Sequence, residues 1–455
     1  MTASHTNEPL NLQERIAALI GKGDVSGLEA LLEELHPSDI ADVVESLGDE
    51  LRLGLVRALP ADLASETLSE MEEGEVRAEL LNALAPDEGA ELLHELPDDD
   101  AADLVGELAP EAQDRILAEL PTDEAGEIRE LLQYDEDTAG GIMTTALVSV
   151  LGHVTASEAI EAVRVQGREV EDFYTVFVVN EDTKLLGTVP LDDLILSHTA
   201  HRIGDLVEPT VASVLPDADQ EHVGHMIARY NLASIPVVSD DGVLLGRVTF
   251  DDVIDVIETE TTEDLLLFSG VSEAEELRGS SFEAVRARLP WLLLNTMTAS
   301  LAASVVWWFR SEIAAATLLA VVMPVVAGLG GNAGQQALAV TVRRLATSAG
   351  PLEARGRVVG KEILVGVLNG GAIGLVVSGA AAMLALAMGV DGRIGVVVLL
   401  AMWGNIAMAG FAGSFIPTFL DRMGQDPAVA STVFLTALTD LTGFLLLLGF
   451  ATIIL

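Results

Sequence analysis

Five apolar runs in the carboxyl-terminal part of the chain constrain its fold more than any other feature. The runs are residues 291–309, 313 to about 342, 363–390, 394–420 and 427–455. Each reaches or exceeds the roughly 18 to 20 residues that an α-helix needs to cross about 30 Å of hydrocarbon. A soluble protein with buried helices would not need five runs of this length. We therefore predict an α-helical membrane domain of five transmembrane helices.

Charge is distributed very unevenly between the two parts of the chain. Residues 1–284 carry 64 acidic and 14 basic side chains, whereas residues 285–455 carry 7 acidic and 10 basic ones. Because the first part is a polyanion that repels phosphate groups, we expect no nucleic acid partner. The chain has no cysteine, which excludes disulfides and thiolate metal sites. The first 20 residues lack a basic start and a long apolar core, so we expect no cleaved secretory signal.

Basic residues in the loops between the apolar runs predict the orientation in the membrane. On one side of the membrane lie Arg286, Arg288, Arg343, Arg344, Arg355, Arg357, Lys361 and Arg422. The other side holds only Arg310 and Arg393. Cytoplasmic loops are the ones enriched in Lys and Arg. We therefore expect a multi-pass protein of the inner (plasma) membrane, with cytoplasmic amino-terminal domains and the carboxyl terminus outside.

Turn-forming residues recur between about residues 36 and 134, mostly 11 to 14 positions apart. They are Pro37, Pro60, Gly74, Pro86, Pro97, Pro110 and Pro121. Short amphipathic segments such as "EVRAELLNAL" and "EAQDRILAEL" lie between them, each about one ten-residue helix. Helices this short are not stable alone, so they must stack on one another. We predict an all-α, acidic superhelix that serves binding or regulation.

An internal repeat of a different kind follows. The stretch "VFVVNEDTKLLGTVPLDDLI" is similar to "IPVVSDDGVLLGRVTFDDVI", with Gly187 and Gly246 equivalent and 59 residues apart. Each copy reads as a strand, a turn, a second strand and a helix that opens with paired aspartates. Together they resemble a tandem pair of α/β cystathionine-β-synthase (CBS) domains. Such pairs often hold adenosine nucleotides through a Thr-x-x-Asp element, which Thr249 and Asp252 preserve, whereas Pro190 replaces the threonine in the first copy. The alternative, in which these aspartates only cap helices, stays open.

Four motifs accompany this order of segments: "EDTAGGIMT" (136–144), "MPVVAGLGGNAGQQALAVTVRRLA" (323–346), "DPAVAS" (426–431) and "TDLTG" (439–443). With the order of the segments, they resemble the MgtE family of magnesium transporters and channels over nearly the whole chain. The resemblance implies a homodimer whose pore lies on the two-fold axis. It also implies five domains: an N domain (1–135), CBS domain 1 (136–200), CBS domain 2 (201–261), a connecting plug helix (262–288) and the pore domain (289–455).

Asp440 is a lone carboxylate about 14 residues from either end of the fifth apolar run. An ionised carboxylate at mid-membrane costs about 2.5 to 3.5 kcal/mol on insertion scales. No Lys, Arg or His lies in the central part of any run, and all eight histidines precede residue 226. A cation supplied from outside is the simplest compensation, and two copies of Asp440 on a two-fold axis would face one dication. Mg²⁺ is commonly bound in hydrated form by one or two carboxylates. This reasoning does not separate Mg²⁺ from Mn²⁺, Co²⁺ or Ni²⁺, and magnesium itself comes from the resemblance.

The second apolar run predicts the other half of the pore. Its segment "MPVVAGLGGNAGQQ" contains Pro324, several glycines and Asn332. Pro removes a helix hydrogen bond and Gly loosens the backbone, so freed carbonyls become candidate ligands beside a cavity. Similar proteins pair this segment with the Asp-bearing helix. The alternative is tight helix packing through small residues.

Carboxylates without obvious basic partners predict a cytoplasmic Mg²⁺ sensor. From the resemblance, its candidates are Asp99, Asp100, Asp103, Glu221, Asp252, Asp255, Glu260, Glu263 and Asp264. Asn231 stands where the family commonly has an aspartate, which would weaken one site. Mutual repulsion opposes a compact arrangement unless cations bridge the carboxylates. Bound Mg²⁺ would thus favour a closed form, and its scarcity would favour an open pore. The alternative for part of this charge is a solvated acidic surface, for instance as an adaptation to salt.

Three classes of function follow from these patterns. The leading one is a passive channel for Mg²⁺ uptake that intracellular Mg²⁺ closes, with ATP as a candidate ligand of the CBS pair. The second is a divalent cation:proton or cation:sodium exchanger that uses Asp440, and the third is a receptor without transport. We find no Walker loop, nucleophile elbow or HExxH motif, so no enzyme is expected.

Overall fold

A computed structural model gives the architecture of most of the chain. It describes residues 15–16, 19, 25–32, 35–72, 74–168, 170, 173–208, 212–269, 271, 281–347, 352–423, 427 and 432–455. The chain divides into two compact units, Met1–Ile257 and Glu258–Leu455.

The first unit begins with short helices, each of 8 to 10 residues. They are α1 (Val25–Leu32), α2 (Pro37–Ser46), α3 (Asp49–Val56), α4 (Ala61–Ser69), α5 (Glu75–Ala83), α6 (Pro86–His94), α7 (Asp98–Gly106), α8 (Pro110–Leu117) and α9 (Glu124–Leu131). Proline opens α2, α6 and α8, because its fixed φ suits the first helical position. From α2 onward each helix packs on the helix two places along, giving two rows with a buried core that includes Leu68 and Leu104. The predicted superhelix is confirmed.

The CBS pair follows the superhelix, and its two halves share one hairpin geometry. Its elements are β1 (Ser149–Leu151), α10 (Ala156–Gln166), β2 (Thr175–Val179), β3 (Leu185–Pro190), α11 (Leu191–Leu196), α12 (Ile203–Leu206), α13 (Gln220–Tyr230), β4 (Ser234–Val238) and β5 (Leu244–Thr249). β1 pairs parallel with β2, and the hairpins β2–β3 and β4–β5 are antiparallel. Val178 faces Gly187 in the first hairpin and Val237 faces Gly246 in the second, and both registers shift directly afterwards. The internal repeat read from the sequence is therefore confirmed.

Helix α14 (Phe250–Ser269) starts directly after β5 and has 20 residues. The sequence divides CBS domain 2 from the connecting helix at residue 262, but this position lies inside α14. No proline or glycine interrupts "DDVIDVIETETTEDLL", so the helix continues through it. Of the predicted connecting helix (262–288), residues 270 and 272–280 lie outside the described residues, and residues 281–288 belong to the helix Ser281–Trp308.

The second unit contains five helices long and apolar enough to cross a membrane, which confirms the predicted number within the described ranges. Its elements are α15 (Ser281–Trp308), α16 (Arg310–Ala315), α17 (Leu318–Thr347), α18 (Leu352–Ala387), α19 (Ile394–Arg422) and α20 (Thr432–Ile454). The second span starts at Leu318 rather than at residue 313, because Ala316 leaves helical geometry (φ −137°, ψ 83°) and separates the short α16. The third span starts at Gly356 rather than at residue 363, because α18 is already helical from Leu352.

Helix α19 is the centre of the membrane bundle. It packs against α17, α18 and α20. Of its most apolar 18-residue stretch, 56% is buried, whereas only 6% of the corresponding stretch of α15 is buried. Glycines bring α18 and α19 close together: a Cβ on Gly366 would lie 2.7 Å from the Ile406 carbonyl oxygen, and one on Gly410 would lie 2.5 Å from that of Glu362. Small residues allow this approach where lipid gives helices no hydrophobic drive to associate.

Candidate functional sites

Asp440 lies in the first half of α20, the helix that packs against α15, α17 and α19. Its side chain is partly buried. Among the described residues it has no hydrogen-bond or ion-pair partner. The helix around it is otherwise apolar apart from threonine hydroxyls, which bond to backbone carbonyls of the same helix, as Thr439 does to Leu435 at 3.0 Å. The carboxylate lies nearer the start of this span than the sequence predicts, and it remains uncompensated within the described chain.

Helix α17 carries the second predicted pore segment, and it runs without interruption through Pro324. Two of its glycines make close helix contacts: Gly330 faces Asn405 of α19, and Gly334 faces Leu435 of α20, whose Cγ would lie 3.0 Å from an added Cβ. The small-residue packing alternative thus describes Gly334. Asn332 lies between these contacts, and its side chain is exposed within the chain. Its role in the pore remains a prediction.

Asn405 is a polar residue that the sequence analysis did not single out. It is fully buried in α19, where its Nδ2 donates to the Val326 carbonyl of α17 at 3.0 Å. Its Oδ1 lies 2.9 Å from the Thr442 hydroxyl of α20. The only sequence signal for it is one amide inside an otherwise apolar run.

The first turn of α7 presents three consecutive aspartates, Asp98, Asp99 and Asp100. Asp98 is held in place, because its Oδ1 accepts from the Thr144 hydroxyl at 2.5 Å and its Oδ2 accepts from the Thr145 amide at 2.9 Å and from the Thr145 hydroxyl. Asp99 is different: its Oδ1 is buried and finds no hydrogen-bond partner in the described structure. A buried acceptor left unpaired is costly, so this atom marks a place where a cation would be stabilising.

Asp252, on the first turn of α14, faces these aspartates. Burial, and then the charges of Asp252 and Asp100, raise the pKa of Asp99 well above its usual value. Burial raises the pKa of Asp252 to about 6, although a hydrogen bond from Thr249 opposes the shift. Burial also raises the pKa of Asp100, against a hydrogen bond with Ser69. Together Asp99, Asp100 and Asp252 form what we call the carboxylate cluster. Keeping each of them ionised near neutral pH costs free energy.

The other predicted sensor residues lie outside the carboxylate cluster. Asp103 and Asp255 are exposed, whereas Glu221, Glu260 and Glu263 are partly buried. The side chain of Asp264 lies outside the described structure. Within the described ranges, no three Asp, Glu, His or Cys side chains are placed as a complete ligand set. Asn231 ends α13 in the left-handed conformation (φ 52°, ψ 50°), which asparagine adopts readily, so its presence has a local structural reason.

The Thr249–Asp252 element forms a helix cap. The Thr249 hydroxyl donates to Asp252 Oδ2, and the Thr249 amide lies 3.4 Å from the same atom. This is half of a capping box, in which the third helical residue reaches back to the residue before the helix. The capping alternative is therefore present in the structure, and the same carboxylate belongs to the carboxylate cluster.

Family models match the superhelix, both CBS domains and most of the membrane helices. A model of the MgtE intracellular N domain matches residues 35–137, a CBS domain model matches 139–197 and 203–259, and a divalent cation transporter model named MgtE matches 323–450.

Individual proteins agree with these family models. The chain is 33% identical to the magnesium transporter MgtE of Thermus thermophilus over 456 residues, or 98% of each chain. It is 38% identical to that of Enterococcus faecalis over 330 residues, covering 72% of this chain and 71% of the relative. A crystal structure of the cytosolic domain of the Mg²⁺ channel MgtE in complex with ATP matches 54% of this chain and all of its own, with 35% identity and a TM-score of 0.51. The chain belongs to the MgtE family of magnesium transporters, which are membrane transport proteins rather than enzymes.

Proposed function

We propose that this transporter works as a passive Mg²⁺ channel whose pore contains Asp440. The observation that carries the proposal is a carboxylate in a membrane helix that has no partner among the described residues. A hydrated dication on a two-fold axis would be shared by two copies of this carboxylate, and Mg²⁺ commonly retains several of its waters when one or two carboxylates bind it. The functional unit is thus a homodimer, with Asn332 of α17 as a further pore residue.

The acidic domains lie in the cytoplasm in this proposal, and the carboxyl terminus lies outside. The positive loops between the spans support this orientation in the inner membrane. The domain limits remain those read from the sequence: residues 1–135, 136–200, 201–261, 262–288 and 289–455. An inside-negative membrane potential would then drive Mg²⁺ inward through the pore.

Intracellular Mg²⁺ closes this pore by binding to the carboxylate cluster. The unpaired Asp99 Oδ1 and the raised pKa of Asp252 support the proposal, because ionising these buried carboxylates is unfavourable unless a cation compensates them. A Mg²⁺ ion between Asp99, Asp100 and Asp252 would neutralise that charge, and because Mg²⁺ usually keeps several waters it would not need a direct bond to all three carboxylates. The remaining candidates, Asp103, Glu221, Asp255, Glu260, Glu263 and Asp264, would hold further ions.

ATP is a candidate ligand of the CBS pair. The similar cytosolic domain of a Mg²⁺ channel was solved with ATP bound. In this chain Thr249 and Asp252 are the candidate nucleotide element, and Pro190 removes the equivalent hydroxyl from the first copy. Because Asp252 also belongs to the carboxylate cluster, nucleotide and Mg²⁺ would act on the same carboxylate.

Mg²⁺ flux into liposomes tests the pore. The full chain is reconstituted, and wild type is compared with Asp440→Asn and Asp440→Ala, with Asp241→Asn in an exposed hairpin turn as the matched charge control. We expect both Asp440 variants to lose flux and the control to keep it. Unchanged flux in Asp440→Ala would refute the pore assignment. Flux that requires a pH or sodium gradient would favour the exchanger instead.

A further inference from the structure

A buried amide joins the two helices to which we assign the pore. Asn405 of α19 has no exposed surface, and it donates from Nδ2 to the Val326 carbonyl of α17 at 3.0 Å. On its other side, Oδ1 lies 2.9 Å from the Thr442 hydroxyl of α20. That hydroxyl is also 2.7 Å from the Leu438 carbonyl, so its single proton is shared between the amide and its own helix backbone. Asn405 therefore connects α17 to α20 through polar contacts.

Two glycines shape the slot that holds this amide. A Cβ on Gly330 of α17 would overlap Asn405 Nδ2, and a Cβ on Gly443 of α20 would lie 2.8 Å from the same atom. Real Cβ atoms do not approach so closely, so both positions must be glycine for the amide to sit where it does. The slot accepts the amide in one orientation. A purely apolar contact between helices would not need such a slot.

The position of Thr442 links this slot to Asp440. The two residues are two positions apart on α20, which is about 200° around an α-helix at 3.6 residues per turn. The amide also lies against Gly443, about 300° around from Asp440, so it holds a flank of α20 next to the side that carries Asp440. A contact on this flank fixes the rotation of α20 about its own axis, and this rotation sets the direction of the Asp440 carboxylate.

We propose that Asn405 is a positioning residue for ion transport: through Thr442 and Val326 it fixes the rotation of α20 against α17 and so aims Asp440 at the ion path. The proposal rests on the proposed role of Asp440 in the pore. Polar residues inside membrane domains are expensive and are often functional. Apolar packing holds helices together, whereas a directional amide contact selects one rotation, and this distinguishes positioning from simple cohesion.

Thr442→Val and Thr442→Ser form the central test, because valine keeps the shape of threonine and loses the hydroxyl, whereas serine keeps the hydroxyl. Asn405→Leu removes both amide contacts at similar volume. Thr452→Val is the control, since Thr452 lies on the same helix and its hydroxyl bonds the Leu448 carbonyl at 2.9 Å. Full-length variants in liposomes are compared for maximal Mg²⁺ flux, half-saturating Mg²⁺ concentration and the ratio of Mg²⁺ to Ca²⁺ flux.

We expect Thr442→Val and Asn405→Leu to raise the half-saturating Mg²⁺ concentration by about three- to twenty-fold, because this is the change in affinity that the free energy of one membrane hydrogen bond corresponds to. Both variants should also lower the ratio of Mg²⁺ to Ca²⁺ flux. Thr442→Ser and Thr452→Val should match wild type. If Thr442→Val keeps the wild-type half-saturation and selectivity while Asp440→Asn abolishes flux, the positioning role is refuted and the pore assignment stands. If Asp440→Asn keeps wild-type flux, both proposals fall.

Discussion

Asp252→Asn should stabilise the compact cytoplasmic arrangement when Mg²⁺ is absent. Asparagine has the same shape and can still accept the Thr249 hydrogen bond, but it carries no charge. The pKa of Asp252 is raised from 3.8 to about 6. At 1.36 kcal/mol per pKa unit, keeping this carboxylate ionised costs the compact form about 3 kcal/mol at most. Asn removes that cost, which corresponds to a change of up to about 100-fold in the population of the opened form.

The sign of the pH dependence follows from the same shift. A carboxyl whose pKa is raised in the compact form destabilises that form while it is ionised, above about pH 6. As pH falls through about 6, protonation relieves the penalty, and below 3.8 it is absent. Wild type without Mg²⁺ should therefore become more compact between pH 7.5 and pH 5. Asp252→Asn should lose most of this pH dependence. The part that remains should come from Asp99 and Asp100.

Limited proteolysis of the full chain in nanodiscs measures this population, because cleavage of a transiently opened state follows its equilibrium when reclosing is fast. At pH 7.5 in EDTA we expect wild type to be cut quickly and Asp252→Asn up to about 100-fold more slowly. Added Mg²⁺ should protect wild type strongly and the variant little. The control Asp241→Asn removes the same charge from an exposed turn and should behave as wild type. Equal or faster cleavage of Asp252→Asn in EDTA would contradict the reasoning.

Three further predictions concern protons, a buried ion pair and helix packing. Mg²⁺ binding near pH 6 should release protons, because it binds the ionised form of Asp252; calorimetry in buffers of different ionisation enthalpy measures this, and the release from Asp252 should fall as pH rises above 6. Arg77→Met should lower stability by about 3 to 5 kcal/mol, since it leaves the buried Glu107 carboxylate, now bonded at 2.7 Å, without its cation; thermal unfolding tests this, and an unchanged midpoint would contradict it. Gly366→Ala should cost about 1 to 3 kcal/mol and lower the yield of folded protein in detergent, because its Cβ would lie 2.7 Å from a backbone carbonyl of α19. Gly379→Ala on the same helix has no atom within 4 Å and should match wild type, and equal yields for the two variants would show that the close approach is not needed.

The membrane helices and the superhelix could be predicted because their signals are local. Hydropathy over about 20 residues identifies a span without knowledge of its neighbours, and prolines mark the starts of short helices wherever these later pack. The predicted ends of the spans agree less well with the structure. The break at Ala316 follows from the backbone geometry between α16 and α17, and no proline or glycine marks it in the sequence.

The carboxylate cluster could be predicted only in part, because its members come from distant positions. The sequence identified Asp99, Asp100 and Asp252, but it could not rank them above Asp103 or Asp255, which are exposed. What brings the first three together is contact between residues far apart in the chain, including the bonds from Thr144 and Thr145 to Asp98. Asn405 could not be predicted for a related reason. One amide in an apolar run indicates a role only when its partners on α17 and α20 are known.

The matching hairpins of the CBS pair have an evolutionary consequence. Two copies with the same strand register and the same irregularity are what gene duplication leaves behind. After such an event, one copy can specialise while its twin keeps the shared architecture intact. Here the second copy has the hydroxyl of Thr249, and the first has the ring of Pro190 at the matching position. This divergence makes the two ends of a symmetric module chemically different. A single chain can therefore respond to a signal at the Thr249 end without an equivalent response at the Pro190 end.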